Sequence, residues 1–286
     1  MWLKLLVVAL SVIGAAIISA WTYGDLRWSN ATDARLVRLH AARLPQTVRT
    51  AYFEAEIQNL PPPVQHYFRA VLRPGQPLIT ATRLRHEGEF RVGDAHEHWK
   101  PMSAVEEFST RPPGFVWDAR IWVLRQIDVR VRDSYIAGSA STSVQLLGLF
   151  TIIDVQDIRQ LAIGALQRYL AEAVWFPTAL LPSQGVEWAG VDEFTSRATI
   201  MEGKTAASID FRFNAKGEIT GAFTANRPRM SGRSFIRTPW MTRCSNYTQM
   251  SGMRIPLQAE AEWLLPEGPL PYFRARITDV SYAFSH

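Results

Sequence analysis

A single cysteine, Cys244, occurs in 286 residues. No internal disulfide and no cysteine-based metal cage can therefore form within the chain. Lysine is scarce, represented only by Lys4, Lys100, Lys204 and Lys216, so arginine supplies most of the positive charge. The net charge is +5, but charges of both signs are interspersed. No Lys/Arg block of the kind that tracks a phosphate backbone is present, which argues against nucleic acid as a partner. The G-x-S-x-G nucleophile elbow, the dinucleotide fingerprint and the phosphate-binding loop are all missing. The small polar run "AGSASTS" (Ala137–Ser143) reads as a turn rather than an active serine. In "HEH", His96 and His98 would share one strand face, but no third ligand lies at useful spacing. No metal and no cofactor is implied.

Apolar and aromatic residues are plentiful: 47% of the chain is hydrophobic and Trp occurs 10 times, enough for a large core with aromatic anchors. The run "LLVVALSVIGAAIISAW" (Leu5–Trp21) carries no charge and lies at the short end of a membrane span. Trp2 and Trp21 bracket it, as interfacial anchors do. Cleavage after Ala20 would put Ile18 where a signal peptidase wants a small residue. Residues 1–24 are therefore expected to be an uncleaved single-pass anchor, with the bilayer as partner. Lys4 stands against Arg27, Arg35 and Arg38, a count that slightly opposes export. A hydrophobic N-terminal segment leading into one long globular chain more often exports it, so the main domain is expected outside the cytoplasm. Residues 25–59 read as a juxtamembrane linker containing a basic helix, Asn30–Arg43.

From about Thr82 the pattern alternates with period two. In "TRLRHEGEFRV", Leu84, His86, Gly88, Phe90 and Val92 oppose a charged face. "FVWDARIWVL" sets Phe115, Trp117, Ala119, Ile121 and Val123 against Val116, Asp118, Arg120, Trp122 and Leu124. Such strands build antiparallel sheet. Ser143–Val155 is apolar on both faces and reads as one or two buried strands. Asp157 looks like an N-cap, and apolar residues at helical spacing predict an amphipathic helix over 157–176, ended by Pro177. About ten strands around one long helix predict an α+β domain over 60–286. Its large antiparallel sheet is expected to curve as a half-open barrel around the central helix.

Three segments carry a resemblance: "RPPGFVWDARI", "YLAEAVWFPTALLP" and "NYTQMSGMRIPLQAEAEW". They resemble an uncharacterised bacterial membrane-associated family of unknown function, over roughly Leu60 to Val280. The "G-E-I" turn followed by a "Y…GMRIP" strand is similar to the proteins that carry lipoproteins across the periplasm. That resemblance implies an unclosed antiparallel barrel with helices over an apolar cavity. The anchor departs from the soluble carrier pattern.

Glu172, inside "AEAVWFPTALLP", is a carboxylate within an apolar helical arc, between Leu161 and Ala165. Burial without a partner would cost several kcal/mol. Arg168 is four residues earlier, but Arg-before-Glu is the weaker order, so a strand partner is expected. Asp118 and Arg120 lie on a strand face that is not simply solvent, and Arg227 and Arg229 of "NRPR" flank an expected turn near "TPW". Trp117, Trp175 and Trp240, with Trp99, suggest a rim as well as a core. Three readings stay open: an ion-pair network fixing helix to sheet in a structural or scaffold protein with a packed core; a Trp-walled cavity for a lipid-like ligand; or a hydrolase using Glu172 and Asp118. The candidate binding residues are Trp117, Asp118, Arg120, Glu172, Trp175, Arg229 and Trp240.

Overall fold

The computed structural model describes residues 1–45, 49–92, 98–232 and 234–285. His96 of the "HEH" motif lies outside them. The chain opens with helix α1 (Trp2–Ala41), the one helix among the described residues long and apolar enough to cross a membrane. The helix expected at Asn30–Arg43 is therefore continuous with the apolar run. Nothing between them breaks it, since Gly24 is its only interior glycine after Gly14 and no proline occurs before Pro45. Helix α2 (Pro62–Val71) follows, with prolines at its start where a missing N–H costs nothing.

Six strands then form a meander: β1 (Ile79–Arg91), β2 (Trp99–Thr110), β3 (Pro113–Leu124), β4 (Ile127–Ile136), β5 (Ser139–Leu146) and β6 (Phe150–Gln156). Helix α3 (Arg159–Glu172) intervenes, and 3-10 turns continue it through Leu180. Seven more strands complete the chain: β7 (Val186–Asp192), β8 (Thr195–Glu202), β9 (Thr205–Phe213), β10 (Ile219–Ser231), β11 (Ser234–Met250), β12 (Met253–Leu265) and β13 (Gly268–Phe284). All thirteen make one antiparallel sheet in the order β6-β5-β4-β3-β2-β1-β13-β12-β11-β10-β9-β8-β7.

The sheet curls around α3. The helix touches β4 as well as β9, strands eight places apart in that order. Flat, they would be ~38 Å apart, far more than a helix can bridge. The inner face carries the expected alternation, with Leu84, His86, Phe115, Trp117, Ala119 and Ile121 buried. At one end α2 seals the barrel, setting Tyr67 against Phe213 and Phe68 against Trp188.

Three local expectations change. Asp157 does not cap α3; it adopts a left-handed φ of 57° and its carboxylate accepts from Ser139 Oγ. The α-helix stops at Glu172 rather than Phe176, because the residue before Pro177 is pushed out of the helical region, to φ −140°. The apolar run Ser143–Val155 holds two strands, but β6 is the sheet's open edge and exposes Phe150 and Ile152 instead of burying them.

Candidate functional site

A cavity of about 150 Å³ lies between α3 and the concave face of the sheet. Trp117 of β3, Trp175 just after α3, Trp240 of β11, Phe90, Phe273 and Tyr272 build its walls. These side chains arrive together because each is an inward position on an antiparallel strand or the buried end of the helix. Most indoles are tied down: Trp175 Nε1 donates to the Pro256 carbonyl at 3.1 Å and Trp240 Nε1 to the Tyr272 hydroxyl at 3.0 Å. Trp117 Nε1, on a residue 3% exposed, has no acceptor among the described residues.

Three arginines line this space, of which Arg243 is paired with Glu262. Arg168 meets three carboxylates, Glu172 Oε1 at 2.8 Å, Glu106 Oε1 at 2.9 Å and Asp133 Oδ2 at 3.0 Å. Its guanidinium also lies over the rings of Trp117 and Phe115, 4.8 and 5.1 Å from their centroids. Arg227 stacks 4.0 Å from the centre of the Trp240 ring and 5.5 Å from that of Trp263, while its Nη1 is buried without a hydrogen-bond partner among the described residues. A register shift in β10 between Thr224 and Arg227 aims it inward; strict alternation from Thr224 would have turned it out.

Arg168 alone is paired with the three carboxylates, so the cluster carries excess negative charge if all of them ionise. Burial pushes Glu172 up to about 8 and Glu106 up to about 7, and Oε2 of each is buried without a hydrogen-bond partner among the described residues. Proton uptake by these two acids offsets that excess near neutral pH. His86 sits against Glu106, Nε2 to Oε2 at 3.3 Å, with its ring edge-on to Trp175 at 5.3 Å. Burial lowers its pKa to about 4, so it is a neutral imidazole here.

The predicted residues divide between two faces of the sheet. Trp117, Glu172, Trp175 and Trp240 converge on the cavity. Asp118 and Arg120 do not: they point to the opposite face, under α1. There Asp118 accepts from Trp28 Nε1 at 2.9 Å and Thr32 Oγ1 at 2.5 Å, and Arg120 reaches Asp25 at 2.5 Å. Neighbouring strand residues explain the split, since Trp117 and Asp118 must point to opposite faces. Arg229 is absent from the cavity wall and touches Thr238; Arg227 takes the place expected of it. The "NRPR" segment is strand rather than the flank of a turn, and Trp99 carries Arg274 over its ring. Glu172 has Arg168 as its helical partner after all, joined by strand residues Glu106 and Asp133. Glu106 and Asp133 were the residues missed. Glu106 stands in the inward series Met102, Ala104, Glu106, Phe108, and Asp133 in Val129, Val131, Asp133, so each is a charge on an apolar face that alternation exposes.

The sequence matches the model of a family of unknown function, DUF6920, over residues 58–282, and the chain belongs to that family. No curated protein matches it. Among solved structures it is similar to a LolA superfamily protein from Nitrosomonas europaea, at 9% identity and a TM-score of 0.41, covering 77% of this chain and 92% of the other. A putative outer membrane lipoprotein-sorting protein domain from Vibrio parahaemolyticus is also similar, at 7% identity and a TM-score of 0.40, with 71% and 85% covered.

Proposed function

We propose that this member of the family is a single-pass, N-terminally anchored envelope protein whose half-barrel binds a lipid-like ligand, with the main domain outside the cytoplasm. The observation that carries the reading is the pairing of apolar walls with unused donors. Trp117, Trp175, Trp240 and Phe273 enclose about 150 Å³, and Trp117 Nε1 and Arg227 Nη1 are buried with no hydrogen-bond partner among the described residues. A cavity of similar size holds a benzene-sized molecule, so the enclosed part of the ligand is a ring or a few methylenes. Its polar group is an acid or ester oxygen, which the two donors would satisfy.

The cavity's position supports a ligand drawn from the bilayer. Phe90, Tyr272 and Arg227 lie towards the sheet end that also carries the C-terminus of β3 and the β12–β13 turn. Helix α1 runs antiparallel along β3, with Gly24 beside Gly148 and Leu39 beside Gly114. The lining thus reaches the end where α1 enters the domain, which on this reading faces the membrane, while α2 closes the other. A hydrolase built on Glu172 and Asp118 has no such support, because the two acids face opposite sides of the sheet. Native mass spectrometry of the full chain released from detergent micelles tests the proposal. A one-to-one small apolar adduct is expected, and a bare chain from every preparation overturns it.

A further inference from the structure

The hairpin joining β5 and β6 breaks a rule of turn chemistry. Its sequence, "LLGLF" (Leu146–Phe150), contains no polar residue, although primed hairpin turns favour Asn, Asp and Gly because these tolerate positive φ. Leu147 and Gly148 both take left-handed φ values, 55° and 66°, and Leu149 N donates to the Leu146 carbonyl at 3.0 Å, the geometry of a primed hairpin turn. A leucine at positive φ is uncommon and disfavoured relative to Asn. Just beyond the turn Phe150 is 64% exposed and Ile152 59%; Leu124, in the neighbouring β3–β4 turn, is 65% exposed. The two turns are joined, since Leu147 N donates to the Asp128 carbonyl at 2.9 Å.

This turn sits against α1 at a defined height. A methyl group added at Gly24 would lie 2.5 Å from the Leu147 carbonyl oxygen and 2.8 Å from Leu149 Cγ, so helix and turn are in direct contact there. Arg130 Nη1 donates to the Gly24 carbonyl at 3.4 Å and Arg27 Nη1 to the Leu149 carbonyl at 3.5 Å, fixing the pairing. Gly24 is three residues past Trp21, ~4.5 Å of helix, which is less than the ~5–7 Å depth of one headgroup layer. Leu124 follows Asp118 by six residues, ~20 Å of strand, whereas Trp21 precedes Trp28, the partner of Asp118, by ~10 Å of helix. Even a strand inclined by about 60° to the helix therefore brings Leu124 down to the level of Trp21.

We infer that the β5–β6 and β3–β4 turns form a second membrane contact, with Leu124, Leu149 and Phe150 inserted among the lipids beside α1. The inference rests on the reading of α1 as a membrane span. Arg27 and exposed Arg125 flank the apolar tip, where they meet lipid phosphates. Two contacts on one side of the barrel hold the domain at a fixed tilt, whereas one helix alone would let it swivel.

The full chain, reconstituted into phosphatidylcholine–phosphatidylglycerol liposomes, provides the test. Phe150→Cys carries an environment-sensitive fluorophore, Leu124→Cys is an independent second site, and Lys216→Cys, in the β9–β10 turn at the α2 end, is the control. Cys244 remains in place, its thiol pushed up to about 12 by burial, and the unsubstituted chain supplies the labelling background. Lipids bearing a nitroxide near the headgroup should remove most of the emission at positions 150 and 124 and leave position 216 bright. Equal emission at all three sites overturns the inference. Resistance of the chain to carbonate extraction separates the two levels: retained protein with unquenched turns defeats the second contact alone, and released protein defeats the anchor and the contact together.

Discussion

Arg168 Nη2 donates to Glu106 Oε1 at 2.9 Å, tying the middle of α3 to a carboxylate of β2 that no solvent reaches. The same guanidinium holds Glu172 and Asp133, so one cation bridges acids from a helix and two strands. Removing it strands buried charge, whereas an exposed pair such as Arg197–Asp210 is screened by water. Arg168→Met is expected to cost about 3–5 kcal/mol of stability, against less than about 1 kcal/mol for Arg197→Ala. Urea unfolding of both variants reads the difference directly, and equal small losses would contradict the assignment.

Stability should fall as pH rises from about 6.5 to 8. Glu172 and Glu106 are raised to about 8 and about 7, so the folded chain holds protons that the unfolded chain, titrating near 4.5, has already released. Their stabilisation is complete below the unfolded value and is lost through the folded ones. His86 acts in the opposite sense between about 4 and 6.5, which leaves the upper window to the acids. Glu172→Gln copies the protonated acid and should flatten the fall. Melting temperatures at several pH values decide; an unchanged slope would remove Glu172 from the titration.

Ala261 lines the cavity, and Leu in its place adds three carbons to an empty space. Ala261→Leu is expected to leave the melting temperature unchanged or raise it, since the added carbons fill a void and gain contacts, while abolishing the small-molecule adduct in native mass spectrometry. Retention of the adduct would place the ligand elsewhere.

Asp118 belongs to the α1 interface, so Asp118→Ala leaves Trp28 Nε1 without its acceptor. A loss of roughly 1–3 kcal/mol is expected, with ligand binding intact. A variant as stable as the parent but unable to bind would return Asp118 to the site.

The antiparallel sheet, its curl around the central helix and the apolar first helix were legible because each leaves a signature in the sequence: a period of two, a period of 3.6, or a long run without charge. Half of the site was legible for the same reason, as Trp117, Glu172, Trp175 and Trp240 are inward positions in regular elements. Arg227 was not, because the β10 bulge reverses the alternation locally, and a single inserted residue leaves no trace in hydropathy. Asp118 and Arg120 were misplaced for a different reason. Their face is apolar enough to need cover, but α1 supplies that cover from 90 residues away, as the Trp28–Asp118 bond records. Residue spacing along one strand cannot reveal which distant element lies on it.

Tryptophan fluorescence of the full chain in micelles, titrated with the soluble acid 6-bromohexanoate, probes the cavity itself. Bromine beside Trp117, Trp175 and Trp240 should quench saturably, with Arg227→Met weakening the binding by loss of the carboxylate contact. A strictly linear response, equal in the parent, Arg227→Met and Ala261→Leu chains, would mean that the hollow beside α3 admits no ligand.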